Sequence, residues 1–306
     1  MSDAYPDLSL HIGSLVLPNP VMTASGTFGY GLEYAEICDI SRLGAIVIKA
    51  ATVGPRMGNR PPRIVETAAG MLNAIGLQNP GVDLVIAEKL PELATHGVPI
   101  IANLAGECVE EYVVLADKFT ACGHVAALEL NISCPNVEGG MAFGVCPEMT
   151  AELVGSVRAV TDLPLITKLS PNVTDITEIA VAAVTAGSDA LSMINTLLGM
   201  SIDIRRRRPL LGNATGGLSG PAIRPVAVRC VWQVYEVVDV PIIGSGGIMC
   251  VEDALEFIMA GASAVAIGTA NFVNPLAGTE ILDGLLAYCQ SNGIEDMSEI
   301  LGVAHG

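Results

Sequence analysis

Short, uninterrupted apolar runs alternate with longer stretches of helical spacing along the whole chain. Eight of these runs read as strands: Pro20–Ala24, Ala45–Ile48, Pro99–Ala102, Ala126–Leu130, Leu165–Thr167, Ala190–Ile194, Pro241–Gly244 and Ala264–Ile267. They are apolar at consecutive positions, the pattern of parallel strands covered on both faces. Two of the intervening helices are especially clear. Ile176, Ile179, Ala180, Ala183 and Val184 share one helical face, as do Val251, Ala254, Leu255, Ile258 and Met259. Gly187 and Gly261 end these helices, and Asp175, Glu178, Glu252 and Asp253 put acids where the dipole favours them. Eight strand–helix units predict an α/β fold, a (β/α)8 TIM barrel, with residues 1–306 as one domain. Ahead of it, LSLHIGSLVLPNP predicts a hairpin turning at Gly13–Ser14 and lidding the barrel bottom.

Two strand-to-strand segments, Lys49 to Asn103 and Asn195 to Gly246, are much longer than the rest, so their loops are candidates for covering a ligand on the catalytic face. With 51% apolar and 15% charged residues the chain can bury a large core. Its net charge of −17 makes nucleic acid an unsuitable partner. The N-terminus has no basic segment followed by an apolar one, and the uncharged stretch Phe257–Thr279 is broken by Gly, Asn and Pro. A cytoplasmic protein with no membrane contact is expected. Eight cysteines without a C-x-x-C pair argue against metal or iron–sulfur ligation within the chain. Cys38, Cys122, Cys230 and Cys289 read as inert core thiols.

The strand ends carry the chemistry. They run Ser25, Lys49, Asn103, Asn131, Lys168, Asn195, Gly246 and Gly268. Asn, Ser and Gly are ordinary turn residues, but two lysines at a barrel mouth are costly without an anionic partner. GGLSG (Gly216–Gly220), GSGG (Gly244–Gly247) and Gly268–Thr269 surround the last two strands, where barrels of this class bind phosphate through backbone N–H groups. Tight turns requiring positive φ explain the same glycines without a ligand. The fourth strand leads into NISCPN, Asn131 to Asn136, which places Cys134 on a catalytic-face loop where a thiol can act as general base. His11, His96, His124 and His305 all fall outside the rim, which disfavours a hydrolytic Cys–His pair. The cluster Arg205–Arg208 reads as a solvated hairpin.

TASGTFGYG (23–31), IKA (48–50), NAIGLQNPG (73–81), ALELNISCPNV (127–137), TKLSPNV (167–173), INT (194–196), TGGLSGPA (215–222), GSGGI (244–248) and AIGTANF (266–272) together resemble the class 1 dihydroorotate dehydrogenases. The form of NAIGLQNPG is similar to that of class 1B catalytic subunits. The resemblance implies FMN-dependent oxidation of dihydroorotate to orotate in pyrimidine (UMP) biosynthesis. It implies that Ser25, Lys49, Ala50, Asn103, Asn131, Lys168, Ile194, Gly220, Gly246, Gly247, Gly268 and Thr269 contact FMN. It implies further that Lys49, Asn73, Ala74, Ile75, Gly76, Leu77, Asn131, Asn136, Asn195 and Thr196 hold the substrate, with Cys134 as the base. The same resemblance implies a partner subunit carrying FAD and a 2Fe-2S cluster, two catalytic plus two electron-transfer subunits, and NAD as the final acceptor. Alternatives are a class 1A enzyme using fumarate, a related FMN barrel acting on another pyrimidine, a flavin-free barrel forming a Schiff base at Lys168, and a binding scaffold.

Overall fold

The computed structural model describes residues 6–133 and 143–306. All eight expected strands are present, with ends shifted by a residue or two, as β1 (Val21–Thr23), β2 (Ile46–Val47), β3 (Ile100–Leu104), β4 (Ala127–Asn131), β5 (Leu165–Lys168), β6 (Ala190–Met193), β7 (Ile242–Ser245) and β8 (Ala264–Ile267). They form one parallel sheet in the order β1-β8-β7-β6-β5-β4-β3-β2. A parallel bridge between Met22 and Ala45 closes the seam, where the Thr23 N–H donates to Ala45 O at 3.2 Å and the Gly44 N–H to Val21 O at 2.7 Å. The result is a (β/α)8 barrel.

The continuous apolar runs conceal a period of two. Val21, Ile46, Ile100, Leu128, Leu165, Leu191, Ile242 and Val265 face outward into the core shared with the helices. Met22, Ala45, Val47, Ile101, Ala127, Ile166, Ala190, Ile243 and Ala264 face inward and form a separate cluster inside the barrel. The interior cluster is completed from outside the barrel by Ile12 and Leu17. These belong to the expected hairpin, whose strands Leu10–Ile12 and Leu15–Leu17 pair antiparallel around Gly13–Ser14. Gly13 lies against Asp189, at the start of β6, so the hairpin plugs the N-terminal end of the barrel and leaves the opposite end for function.

The helices Ile176–Thr185 and Val251–Met259 occupy the expected segments. Asp175 caps the first by accepting the Thr177 N–H at 2.9 Å. Gly187 and Gly261 follow them with φ of 113° each. Among the described residues no helix is long and apolar enough to cross a membrane. Leu17 is fully buried, so Leu17→Ala is expected to lower stability by about 2–5 kcal/mol, read as a drop in the urea unfolding midpoint. A midpoint equal to wild type would mean that the hairpin does not seal the interior.

Candidate active site

The same alternation that makes the lower interior apolar makes the upper interior polar. Two residues beyond Ile101, Ala127 and Ile166, the inward positions are Asn103, Glu129 and Lys168. Asn103 pairs with Glu129 across β3–β4, and Asn131 with Lys168 across β4–β5. Asn103 donates from Nδ2 to Glu129 Oε1 at 2.5 Å. Lys168 Nζ lies 3.8 Å from the same carboxylate oxygen and donates to Ser25 Oγ at 3.2 Å. Lys168 is 6% exposed and Glu129 2%, so this is a buried ion pair beneath the barrel mouth. Asn103 Oδ1 is buried without a partner, an acceptor left for whatever fills the mouth. Glu129 was not among the sequence-predicted site residues. Its signal was available, a lone acid inside an apolar strand and in phase with Asn131.

The two long loops do more than cover the mouth. Leu197–Met200, Thr215–Ser219, Gly70–Asn73 and Ile64–Thr67 join, in that order, as a four-stranded antiparallel sheet, two strands from each loop. This brings together residues far apart in sequence. Asn73 donates from Nδ2 to Gly217 O at 3.3 Å, and a Cβ on Gly217 would lie 2.0 Å from Thr196 Oγ1. Asn195 donates to Asn131 Oδ1 at 3.1 Å and accepts the Thr196 N–H at 2.8 Å. Asn73, Asn131, Asn195 and Thr196 thus occupy one side of the mouth. Ala74 to Leu77 continue from it, backed by Asn59, whose Nδ2 donates to Ala74 O at 3.1 Å and whose N–H donates to Ile75 O at 3.0 Å.

The glycine reading needs division. Gly216 and Gly217 lie in the loop sheet and permit close strand approach, while Gly244 makes room for Phe257 of a packing helix. Packing accounts for all three of these glycines. Gly220, Gly247 and Thr269 do converge. A Cβ on Gly247 would meet Gly220 O at 2.8 Å, one on Gly220 would lie 3.5 Å from Thr269 Cγ2, and Thr269 donates to Ser219 Oγ at 2.8 Å. Gly220 and Gly247 have φ of 93° and 83°, a region that disfavours a side chain. Gly246 sits against Ile194, and a Cβ on Gly268 would reach only Ala24 and Thr27. Ala50 is buried behind Lys49. Cys134 and Asn136 lie outside the described residues. Arg205–Arg207 lie in the turn of an exposed hairpin and Arg208 starts its returning strand, as the solvated-hairpin reading expects.

Lys49, half-buried after β2, forms no salt bridge among the described residues. Burial first, and then the positive field of Arg63, lower its pKa from the usual lysine value, while Glu33 acts weakly in the opposite direction. Arg63 was also not singled out by sequence. It donates from Nη1 to Gln78 Oε1 at 2.8 Å, directly beyond the NAIGL stretch. The fields of Arg63 and Lys49 reinforce each other next to the NAIGL stretch, a setting that favours an anion.

A family model described as dihydroorotate dehydrogenase matches residues 7–288. The chain belongs to the dihydroorotate dehydrogenase family. It is 59% identical over 295 residues to "Dihydroorotate dehydrogenase B (NAD(+)), catalytic subunit" of Desulforudis audaxviator, covering 96% of each chain. It is 58% identical to the protein of the same name from Geotalea daltonii, covering 98% of each. The barrel is also similar to a solved structure titled as DHODH in complex with ferulenol from Eimeria tenella, with a TM-score of 0.82 at 23% identity, covering all of this chain and 90% of that one. That last likeness concerns the fold.

The partly buried Lys49 charge has a thermodynamic consequence for this dehydrogenase. Below both its folded and unfolded pKa the folded state carries the full cost of the buried ammonium, and that cost fades as pH rises from the lowered pKa toward 10.5. Lys49→Met is therefore expected to raise the melting temperature of the ligand-free chain at pH 7, with the gain narrowing as pH approaches 10.5. A lower melting temperature would show that Lys49 is engaged in a stabilising contact.

Proposed function

We propose that this chain is the catalytic subunit of an NAD-linked dihydroorotate dehydrogenase, binding FMN across the mouth of the barrel and oxidising dihydroorotate to orotate in pyrimidine biosynthesis. The observation that carries this reading is the pairing of a backbone-lined glycine corner with a separate cationic and amide-lined side, both opening from one polar layer. The first suits a phosphate. The second suits a carboxylated pyrimidine with ring amides. FMN fits these residues. Gly220, Gly246, Gly247, Gly268 and Thr269 would hold its phosphate, and Ser25, Lys49, Ala50, Asn103, Asn131, Lys168 and Ile194 would line its ring. The unpartnered Asn103 Oδ1 would supply an acceptor for that ring.

Bound FMN supplies a two-electron acceptor for hydride. The chain's own groups do the rest. Lys49, Asn73 to Leu77, Asn131, Asn136, Asn195 and Thr196 would hold the substrate, with Lys49 and neighbouring amides facing its carboxylate. Cys134 takes the proton from the carbon beside the ring carbonyl while the neighbouring carbon gives up hydride, so the substrate loses one proton and one hydride as its ring double bond forms. Lys168 would stand beside the bound cofactor and stabilise negative charge gained there. A partner subunit carrying FAD and a 2Fe-2S cluster would take the electrons on to NAD, in an assembly of two catalytic and two electron-transfer subunits. The words "catalytic subunit" in the names of the close relatives support a separate partner subunit.

Anaerobic addition of dihydroorotate to the purified chain loaded with FMN is expected to bleach its visible absorption. Bleaching of wild type together with a large slowing in Cys134→Ser, at retained FMN, supports the assignment, because a hydroxyl is a far weaker base near neutral pH. Equal rates would remove Cys134 from the reaction. A chain that takes up no FMN would overturn the flavin reading.

A further inference from the structure

Glu129 has no place in the substrate or cofactor contacts described above, yet it is the most deeply buried carboxylate at the mouth. Packing does not call for an acid there. Its neighbours at the level below, Ile101, Ala127 and Ile166, are apolar, and a buried charge costs several kcal/mol of desolvation that a matching apolar side chain avoids. The surroundings hold Glu129 through two groups that the FMN reading assigns to the cofactor ring. Asn103 commits its Nδ2 to Oε1 at 2.5 Å, which turns its Oδ1 away as a free acceptor. Lys168 Nζ stands 3.8 Å from the same oxygen.

We propose that Glu129 is a positioning residue that sets the flavin's electronic environment, fixing the Asn103 amide with its carbonyl oxygen toward the mouth and offsetting part of the Lys168 charge. This rests on the FMN reading. The argument is electrostatic. Reduction adds negative charge to the cofactor beside Lys168, and a carboxylate 3.8 Å behind that ammonium opposes the added charge, in a region with little water to screen it. Glu129 thereby makes the bound flavin a weaker oxidant and its reduced form a stronger donor. That property suits electrons that must leave again for a low-potential acceptor. A barrel with Lys168 alone would hold reduced flavin more tightly. The second effect is one of orientation. With the carboxylate as acceptor, the Asn103 amide has one favourable orientation rather than two, and the mouth presents an acceptor instead of a donor.

The test is the midpoint potential of FMN bound to the chain, measured by spectroscopic titration, alongside the FMN dissociation constant. Glu129→Gln keeps an acceptor for Asn103 and removes the charge, so FMN affinity is expected to stay close to wild type while the potential shifts in the positive direction. Because neutralising half of a buried pair can cost folding, Glu129→Asp is measured as well. It keeps the charge but draws it back, and a smaller positive shift is expected. A potential unchanged in both variants, with FMN bound, overturns the proposal, as does a negative shift. Loss of FMN binding in both variants while wild type retains it would make Glu129 structural and also overturns it. Wild type that binds no FMN removes the flavin reading, and this assignment with it.

Discussion

A closed parallel barrel turns every second side chain of every strand toward one axis, and the rest of this molecule follows from how those inward positions are filled. Near the N-terminal end they are Met22, Ala45, Val47, Ile101, Ala127, Ile166, Ala190, Ile243 and Ala264, a set with no polar atom to satisfy and no route for solvent once Ile12 and Leu17 seal the end. Toward the C-terminal end the same rows become Asn103, Glu129, Asn131 and Lys168. Backbone hydrogen bonds are consumed by the sheet itself, so these side chains must satisfy one another. They do so through Asn103–Glu129, Glu129–Lys168, Lys168–Ser25 and Asn195–Asn131, while Asn103 Oδ1, buried without a partner, is an acceptor for what fills the mouth.

The mouth has two sides because the loops that rise from the strand ends are of two kinds. Short turns after β7, with positive φ at Gly246 and Gly247, and after β8, at Gly268, keep backbone close and side chains away. The long segments after β2 and β6 instead pair with each other, so that Asn73, from one, is held to Gly217, from the other. Glycine serves both sides for different reasons. At Gly220 and Gly247 it permits a backbone conformation, whereas at Gly216 and Gly217 it permits strands to approach where Asn73 and Thr196 stand. Neither loop makes a stable sheet alone, since an isolated two-stranded ribbon is marginal, so ordering either side of the covering sheet orders the other.

Much of this was legible in the sequence. Strands apolar on both faces announce themselves as continuous runs, and the hairpin turn at Gly13–Ser14 is local chemistry, so both emerged at the right places. The pairing of the two loops was not legible, because its partners lie more than a hundred residues apart and their alternation is weak in glycine-rich strands such as Thr215–Ser219. Lys49 and Lys168 drew notice because a cation at a strand end is conspicuous. Glu129 escaped because it sits inside a strand, where pattern reading looks for apolar residues, and Arg63 because it lies in a loop whose course only the fold defines. The roles of Cys134 and Asn136 rest on the motif NISCPN, since both fall outside the described residues.

The two lysines also separate the flavin reading from a Schiff-base barrel. An amine that attacks a carbonyl must first lose its proton, which favours a lysine held away from carboxylates in an apolar or cationic setting. Lys168 is in the opposite setting. It donates to Ser25 and stands beside a buried Glu129, so an uncharged Lys168 would leave that carboxylate without a counter-ion in a site nearly closed to water. Lys49 has the lowered pKa that such chemistry asks for, but the field of Arg63 beside it and the amides of the NAIGL stretch beyond it favour holding an anion in place. One lysine is therefore tied to a carboxylate and a hydroxyl beneath the mouth, and the other stands at its side without a salt bridge among the described residues. That division suits a reaction in which an anionic substrate is oxidised and negative charge builds on a bound acceptor.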